Sequence, residues 1–282
     1  MKINLETIWN SIGFKPTEKQ KSAIFHVSGP LFLPAGPGSG KTRVLLWRVV
    51  NLIVNEGVDP GRIFLSTFTE KAAKQLREGL QSNLAIVSAT TNINYDVSQL
   101  YVGTVHSLCK KIIMDKRLNR STLSKTNIEV MEQLEQFLFL KDFSNWSNLS
   151  AASGKGADFA KFVNMFTTGK NSSSKTTAAL KLAELFNKIS EENIDYRLAL
   201  QSCESEDDKA ILNAYAKYLE SLNVSGPVPK ADLSILQSKA YLHVSNSPDL
   251  LKAFDFVIVD EYQDTNSIQE RLFFLLASNS KN

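Results

Sequence analysis

The chain has 282 residues, 43% of them hydrophobic and 22% charged, and a formal net charge of +3. That composition suits one large or two smaller folded domains, and it excludes a polybasic protein that holds nucleic acid through its global charge. The two cysteines, Cys109 and Cys203, stand in no ligand spacing, which argues against a zinc site or a disulfide scaffold and suits a reducing cytoplasm. No run approaches membrane-spanning length, so no membrane partner is expected.

Taken in order, the chain opens with an apolar patch at Leu5, Ile8, Trp9, Ile12 and Phe14. Pro16-Thr17-Glu18 then reads as a helix start with Thr17 as cap, on a helix carrying Gln20. The amide of Gln20 both donates and accepts, as reading an adenine edge requires. Next, the apolar run Pro30–Pro34 predicts a short strand that ends in Ala35-Gly36-Pro37-Gly38-Ser39-Gly40-Lys41-Thr42 and opens a helix from Arg43 to Asn55. This is a Walker A phosphate loop in which Ala35 replaces the first glycine of the usual pattern. Glycines let successive N–H groups turn toward an anion, and the helix N-terminus adds partial positive charge. Lys41 then reaches the β- and γ-phosphates of ATP, and Thr42 offers its hydroxyl to Mg²⁺.

Arg62–Thr67 predicts a buried parallel strand, followed by a helix over Phe68–Glu78 with Thr69 as cap. Gln99–Thr104 and Val105–Ile113 repeat the strand–helix pattern, which implies a parallel sheet with crossover helices. From Lys116 to Val244 the alternation stops. Glu129–Phe143, Phe159–Phe166, Thr177–Ile189, Asp207–Leu222 and Asp232–Val244 read as helices, with loops at 151–156 and 167–177 and a break at Gly226–Pro229. A basic run (Lys110, Lys111, Lys116, Arg117, Arg120, Lys125) fits a solvated face or a phosphate track equally well. Finally, Phe254–Val259 predicts a buried strand that delivers Asp260 and Glu261 at its C-terminal end, where ligands sit in open α/β sheets. That is a Walker B strand.

Four segments in this order resemble the ordered motifs of UvrD/Rep-type superfamily 1 DNA helicases: 35–42, 67–73, 103–109 and Val259-Asp260-Glu261-Tyr262-Gln263-Asp264-Thr265-Asn266. The resemblance implies a RecA-like P-loop NTPase sheet over residues 1–117 and 246–282, incomplete at the C-terminus, with an all-helical insertion over 118–245. It implies an ATP site lined by Gln20, Ala35, Gly36, Pro37, Gly38, Ser39, Gly40, Lys41, Thr42 and Arg43. Thr42 and Asp260 would hold Mg²⁺, and Lys41, Glu261 and Gln263 would serve catalysis: Glu261 orienting and deprotonating water, Gln263 sensing the γ-phosphate. Thr67, Phe68, Thr104 and His106 match positions that touch single-stranded DNA, alone or as the tail of a duplex.

The resemblance stops one helix past Walker B. The expectation is therefore an excerpt of a longer gene product, lacking the second RecA-like domain that supplies arginine fingers. On that expectation the chain binds ATP, hydrolyses it poorly and cannot unwind DNA alone. Absence of the sensor strand that belongs between the two Walker strands would leave a gap in the sheet. A truncated, non-enzymatic nucleotide- or DNA-binding module is the alternative. A transporter ATPase is disfavoured because no signature of the type L-S-G-G-Q lies between the Walker motifs.

Overall fold

A computed structural model of the chain describes residues 2–115, 118, 127–224, 226 and 228–281. The first part runs α1 (Leu5–Ser11), α2 (Glu18–Phe25), α3 (Lys41–Val54), β1 (Ile63–Thr67), α4 (Glu70–Thr91), β2 (Tyr101–Thr104) and α5 (Val105–Met114). The middle runs β3 (Glu129–Met131), α6 (Gln133–Lys141), α7 (Phe143–Ala152), α8 (Phe159–Thr168), α9 (Lys175–Glu191), α10 (Tyr196–Ser202), α11 (Glu206–Val224), β4 (Lys230–Asp232) and α12 (Leu233–Ser245). The chain then adds β5 (Phe256–Val259) and α13 (Ser267–Ala277). Two compact units result, one of Met1–Leu108, Val244–Thr265 and Leu272–Asn282, the other of Cys109–His243 and Asn266–Arg271.

In the α/β unit the sheet is parallel, in the order β2-β1-β5. Ile63 and Leu65 of β1 align with Phe256 and Ile258 of β5, and Leu65 with Val102 of β2. These side chains join one core with Val44, Trp47 and Leu52 of α3 and Leu76, Leu80 and Leu84 of α4. The alternate β1 residue Phe64 enters an aromatic cluster with Phe254 and Phe273 on the other face. Two-face burial explains why β1 opens with three consecutive apolar residues, Ile63, Phe64 and Leu65, and is buried along its whole length.

The predicted strand at Pro30–Pro34 does not form. Residues 30–35 carry no regular secondary structure and are exposed, Phe32 at 80%, and no ladder bond joins them to β5 among the described residues. A strand exists only through its neighbours, and this run has none. The two Walker segments are not paired directly. The Lys281 N–H donates to the Asp255 carbonyl, and the Gly29 N–H donates to the Lys281 carbonyl, so one residue stands between them at that end.

In the second unit, the Phe186 ring packs against Tyr215 and Tyr218, and these three are buried, as are Leu182 and Ala214. The expectation of an all-helical insertion needs correction: β3 and β4 pair in parallel, Glu129 opposite Lys230 and Met131 opposite Asp232. Strands of three residues give no readable alternation. The single helix expected over Glu129–Phe143 is also broken, because Asp142 ends α6 and its carboxylate accepts from the Asn145 N–H to cap α7. Lys116, Arg117, Arg120 and Lys125 of the basic run lie outside the described residues. No helix among the described residues is long and apolar enough to cross a membrane.

Candidate nucleotide site and the turn beside it

The glycine-rich loop is shaped by two left-handed residues, Gly38 at φ 75° and Gly40 at φ 79°. Gly40 is also the N-cap of α3, and it brings no side chain to that end, so no side-chain cap occupies the first amides. No acid lies in the first turn. The loop from Gly36 to Gly40 is exposed throughout.

Gln20 is tied to this loop. Its Nε2 donates to the Ser39 carbonyl at 3.0 Å. Its Oε1 accepts from the Thr17 N–H, while the Thr17 hydroxyl accepts from the Gln20 N–H, a capping box that fixes the start of α2. Both amide atoms are thus engaged, and base contact would have to exchange a partner. The buried Arg48 of α3 donates to the carbonyls of Ala23 and His26 at the C-terminal end of α2. Burial lowers its pKa to about 10. A cation there suits the negative end of α2 and docks that helix against α3.

At the C-terminal end of β5 the acids meet the loop. Lys41 Nζ lies 2.5 Å from Glu261 Oε1 and 3.9 Å from Asp260 Oδ1. The Gln263 amide donates to Glu261 Oε2 at 2.6 Å. Lys41 first, and then Gln263, hold the Glu261 carboxyl below its ordinary range. Glu261 adopts φ 56°, ψ 46°, a left-handed backbone that a non-glycine residue takes only against a steric cost. Its neighbour Asp260 is 8% exposed at the side chain, and its Oδ1 has no hydrogen-bond partner. Burial raises the Asp260 pKa, with Lys41 opposing.

That orphaned oxygen is the test of whether a divalent ion fits. A buried carboxylate oxygen without a donor costs about 1–3 kcal/mol, a cost that a cation removes. Among the described residues no cluster of three or more His, Cys, Asp and Glu is placed to hold a metal. Mg²⁺ here would therefore draw on Asp260, Thr42 and the nucleotide's own phosphate oxygens, the usual arrangement for an ion that keeps few protein ligands.

Next to the acids, Thr67–Glu70 lead from the end of β1 into α4, and three of the four side chains take a partner. The Thr67 hydroxyl donates to Asp260 Oδ2 at 3.4 Å. Phe68 is 58% exposed. The Thr69 hydroxyl accepts from the Ala72 N–H and caps α4. Glu70 accepts from the Thr104 hydroxyl at 2.8 Å.

Of the four positions matched to DNA contacts, only Phe68 presents an open face. Thr67 and Thr104 are buried, at 2% and 6%, with hydroxyls committed to carboxylates. His106 is half-buried. The Arg43 guanidinium stacks over the Phe14 ring at 5.2 Å. Sequence reasoning missed Arg48 and Glu70. The tie from Glu70 to Thr104 appears only when β1 and β2 are aligned, whereas an arginine inside the buried face of α3 was a signal available in the sequence.

Comparison with known proteins identifies the family of the chain. Residues 16–282 match the family described as the UvrD/REP helicase N-terminal domain. The chain is 29% identical to ATP-dependent DNA helicase PcrA of Leuconostoc citreum, over 99% of its own length and 33% of that protein's. It is equally identical to ATP-dependent DNA helicase SRS2 of Saccharomyces cerevisiae over 93% of the chain and 21% of that protein. PcrA of Bacillus subtilis matches at 29% over 93% and 31%. The chain spans about a third or less of the length of the curated relatives it matches.

Proposed function

The chain belongs to the UvrD/REP helicase N-terminal domain family, and from that premise we propose that it binds Mg-ATP and single-stranded DNA as one half of a DNA-translocating motor. The observation that carries the reading is the meeting of Lys41, Asp260, Glu261 and Gln263 beside an exposed glycine loop. In the arrangement described, Lys41 is held by Glu261. A triphosphate on the loop amides would draw the Lys41 ammonium to its β- and γ-oxygens. Glu261 would then lose the cation that depresses its pKa and become a better proton acceptor for a water aligned with the γ-phosphate. Gln263, already bonded to that carboxylate, would follow the change. Mg²⁺, when bound, would neutralise charge on the β- and γ-oxygens.

Phe68 supplies the nucleic-acid side. Its exposed ring would stack on a base, a contact worth about 1–3 kcal/mol. The partner this reading calls for is a second RecA-like domain that contributes arginine to the transferring phosphate, worth on the order of 10³–10⁵ in rate. Without it the 282 residues are expected to bind nucleotide and turn it over slowly.

The test is nucleotide binding and hydrolysis by this chain, with and without single-stranded DNA. Lys41→Ala should abolish binding, and Glu261→Gln should keep binding while removing any residual turnover. Fast, DNA-stimulated hydrolysis by the isolated chain would overturn the half-motor view. Binding that survives Lys41→Ala would overturn the site.

A further inference from the structure

The sheet register puts three polar side chains in one row across the C-terminal ends of the strands. Thr104 is aligned with Thr67 across β2 and β1. Asp260 lies one step past the last pair of β1 and β5, Ser66 with Val259, and its N–H donates to the Ser66 carbonyl. In a parallel sheet aligned residues point to the same face. Thr67 therefore stands between Thr104 and Asp260, on the face that also carries Leu65, Val102 and Ile258. It is 2% exposed, so its hydroxyl is closed to a bulky ligand, and the partner it reaches is the second oxygen of Asp260.

This fixes Asp260 in an unequal way. Oδ2 is taken by Thr67 and Oδ1 has no hydrogen-bond partner. A carboxylate anchored by one oxygen presents the other in a set direction, which a metal ligand needs. At 3.4 Å the anchor is near the outer limit of a hydrogen bond, so a small shift of the turn breaks or shortens it. The next residue in that turn is Phe68, and Thr69 and Glu70 pin its far side to α4 and to Thr104.

We infer that Thr67 is a positioning residue for the divalent cation and not a DNA contact: its hydroxyl orients Asp260, and through the peptide bond to Phe68 it ties that orientation to whether a base lies on Phe68. The inference rests on the functional reading above and deepens it. It assigns Thr67 to the nucleotide side of the sheet, with the DNA side one residue away.

The experiment uses the 282-residue chain, a non-hydrolysable ATP analogue with a fluorescent label, and a Mg²⁺ titration with and without oligodeoxythymidylate. Thr67→Val keeps the shape and the β-branch and removes only the hydroxyl. It should raise the Mg²⁺ concentration needed for tight binding about tenfold, the scale of one hydrogen bond to a charged group. Metal-free nucleotide binding and DNA affinity should be unchanged. Thr67→Ser should restore the wild-type Mg²⁺ dependence. DNA should shift the Mg²⁺ midpoint of the wild type and of Thr67→Ser, but not that of Thr67→Val.

Metal-free nucleotide binding by Thr67→Val at the wild-type affinity separates positioning from a general loss of fold. A Thr67→Val chain with the wild-type Mg²⁺ midpoint overturns the inference alone. So does one whose DNA affinity falls while its Mg²⁺ midpoint stays put. A wild type that binds no nucleotide at all overturns the functional reading and this inference with it.

Discussion

Two buried aspartates, one in each unit, show how differently the same side chain is used. In the helical unit, Asp232 Oδ2 accepts from the Tyr218 hydroxyl at 2.7 Å and from the Gln136 amide at 3.0 Å, and Oδ1 accepts from the Ile235 N–H. Gln136 passes the network on to Asn187. In the α/β unit, Asp260 has one long bond on Oδ2 and none on Oδ1. Burial raises both pKa values. The first carboxylate has enough donors to organise a core; the second is left short of them, which suits the metal-holding role proposed for it.

The sharpest way to break this comparison is Asp232→Ala. It takes the acceptor from the Tyr218 hydroxyl and one of the acceptors of the Gln136 amide in the core, and should destabilise the helical unit by about 2–3 kcal/mol in urea unfolding followed by far-UV circular dichroism. A loss below about 1 kcal/mol would mean that the network is ornamental.

Asp260→Asn is the counterpart. It removes a charge held by one long hydrogen bond from Thr67 and a 3.9 Å ion pair with Lys41, so stability should stay within about 1 kcal/mol of wild type. Stabilisation by Mg-nucleotide, read as a shift in Tm, should vanish. If instead the protein unfolds as readily as Asp232→Ala, the two acids are not different in kind.

A smaller effect separates the units by pH. Arg62 donates to Asp255 at 2.6 Å, latching the start of β5, and it lowers the Asp255 pKa. A carboxyl whose folded pKa lies below its unfolded value binds fewer protons when folded. Its stabilisation is therefore present above the unfolded pKa and lost as pH falls through the folded one. The difference in unfolding free energy between wild type and Asp255→Asn should be at most about 1 kcal/mol near neutrality and disappear in acid. Asp232 has the opposite sign. Its raised pKa makes its contribution fall as pH rises through the carboxylate range, so the corresponding difference for Asp232→Asn should move the other way. The smallest effect is expected from Gln20→Ala, which opens the capping box of α2 for about 0.5–1 kcal/mol. A nucleotide affinity unchanged by that substitution would remove Gln20 from the site.

How much of this was legible in the sequence depends on the range of each interaction. The loop at 36–42 and the acids at 260–261 were readable because glycine φ, a helix N-terminus and a strand end are local devices. The run at 30–34 has the same apolar look as 63–67, but only the latter has strands on both sides. Apolarity reports a wish to be buried and cannot report who does the burying. The pairing of Thr67 with Asp260 spans most of the chain, so its meaning waited on the register. The Asp142 cap inside 129–143 was present as a signal, and the periodicity around it masked it.

The left-handed backbone of Glu261 carries a consequence for laboratory evolution. Glycine or asparagine would sit at that φ with less strain, and Glu261→Gly would relieve about 1 kcal/mol while giving up an ion pair of similar or smaller worth. On the water-activating role proposed for Glu261, a library screened only for thermal tolerance should therefore gather substitutions at this codon that remove the proposed base. Heat resistance and turnover would be selected in opposite directions at a single residue.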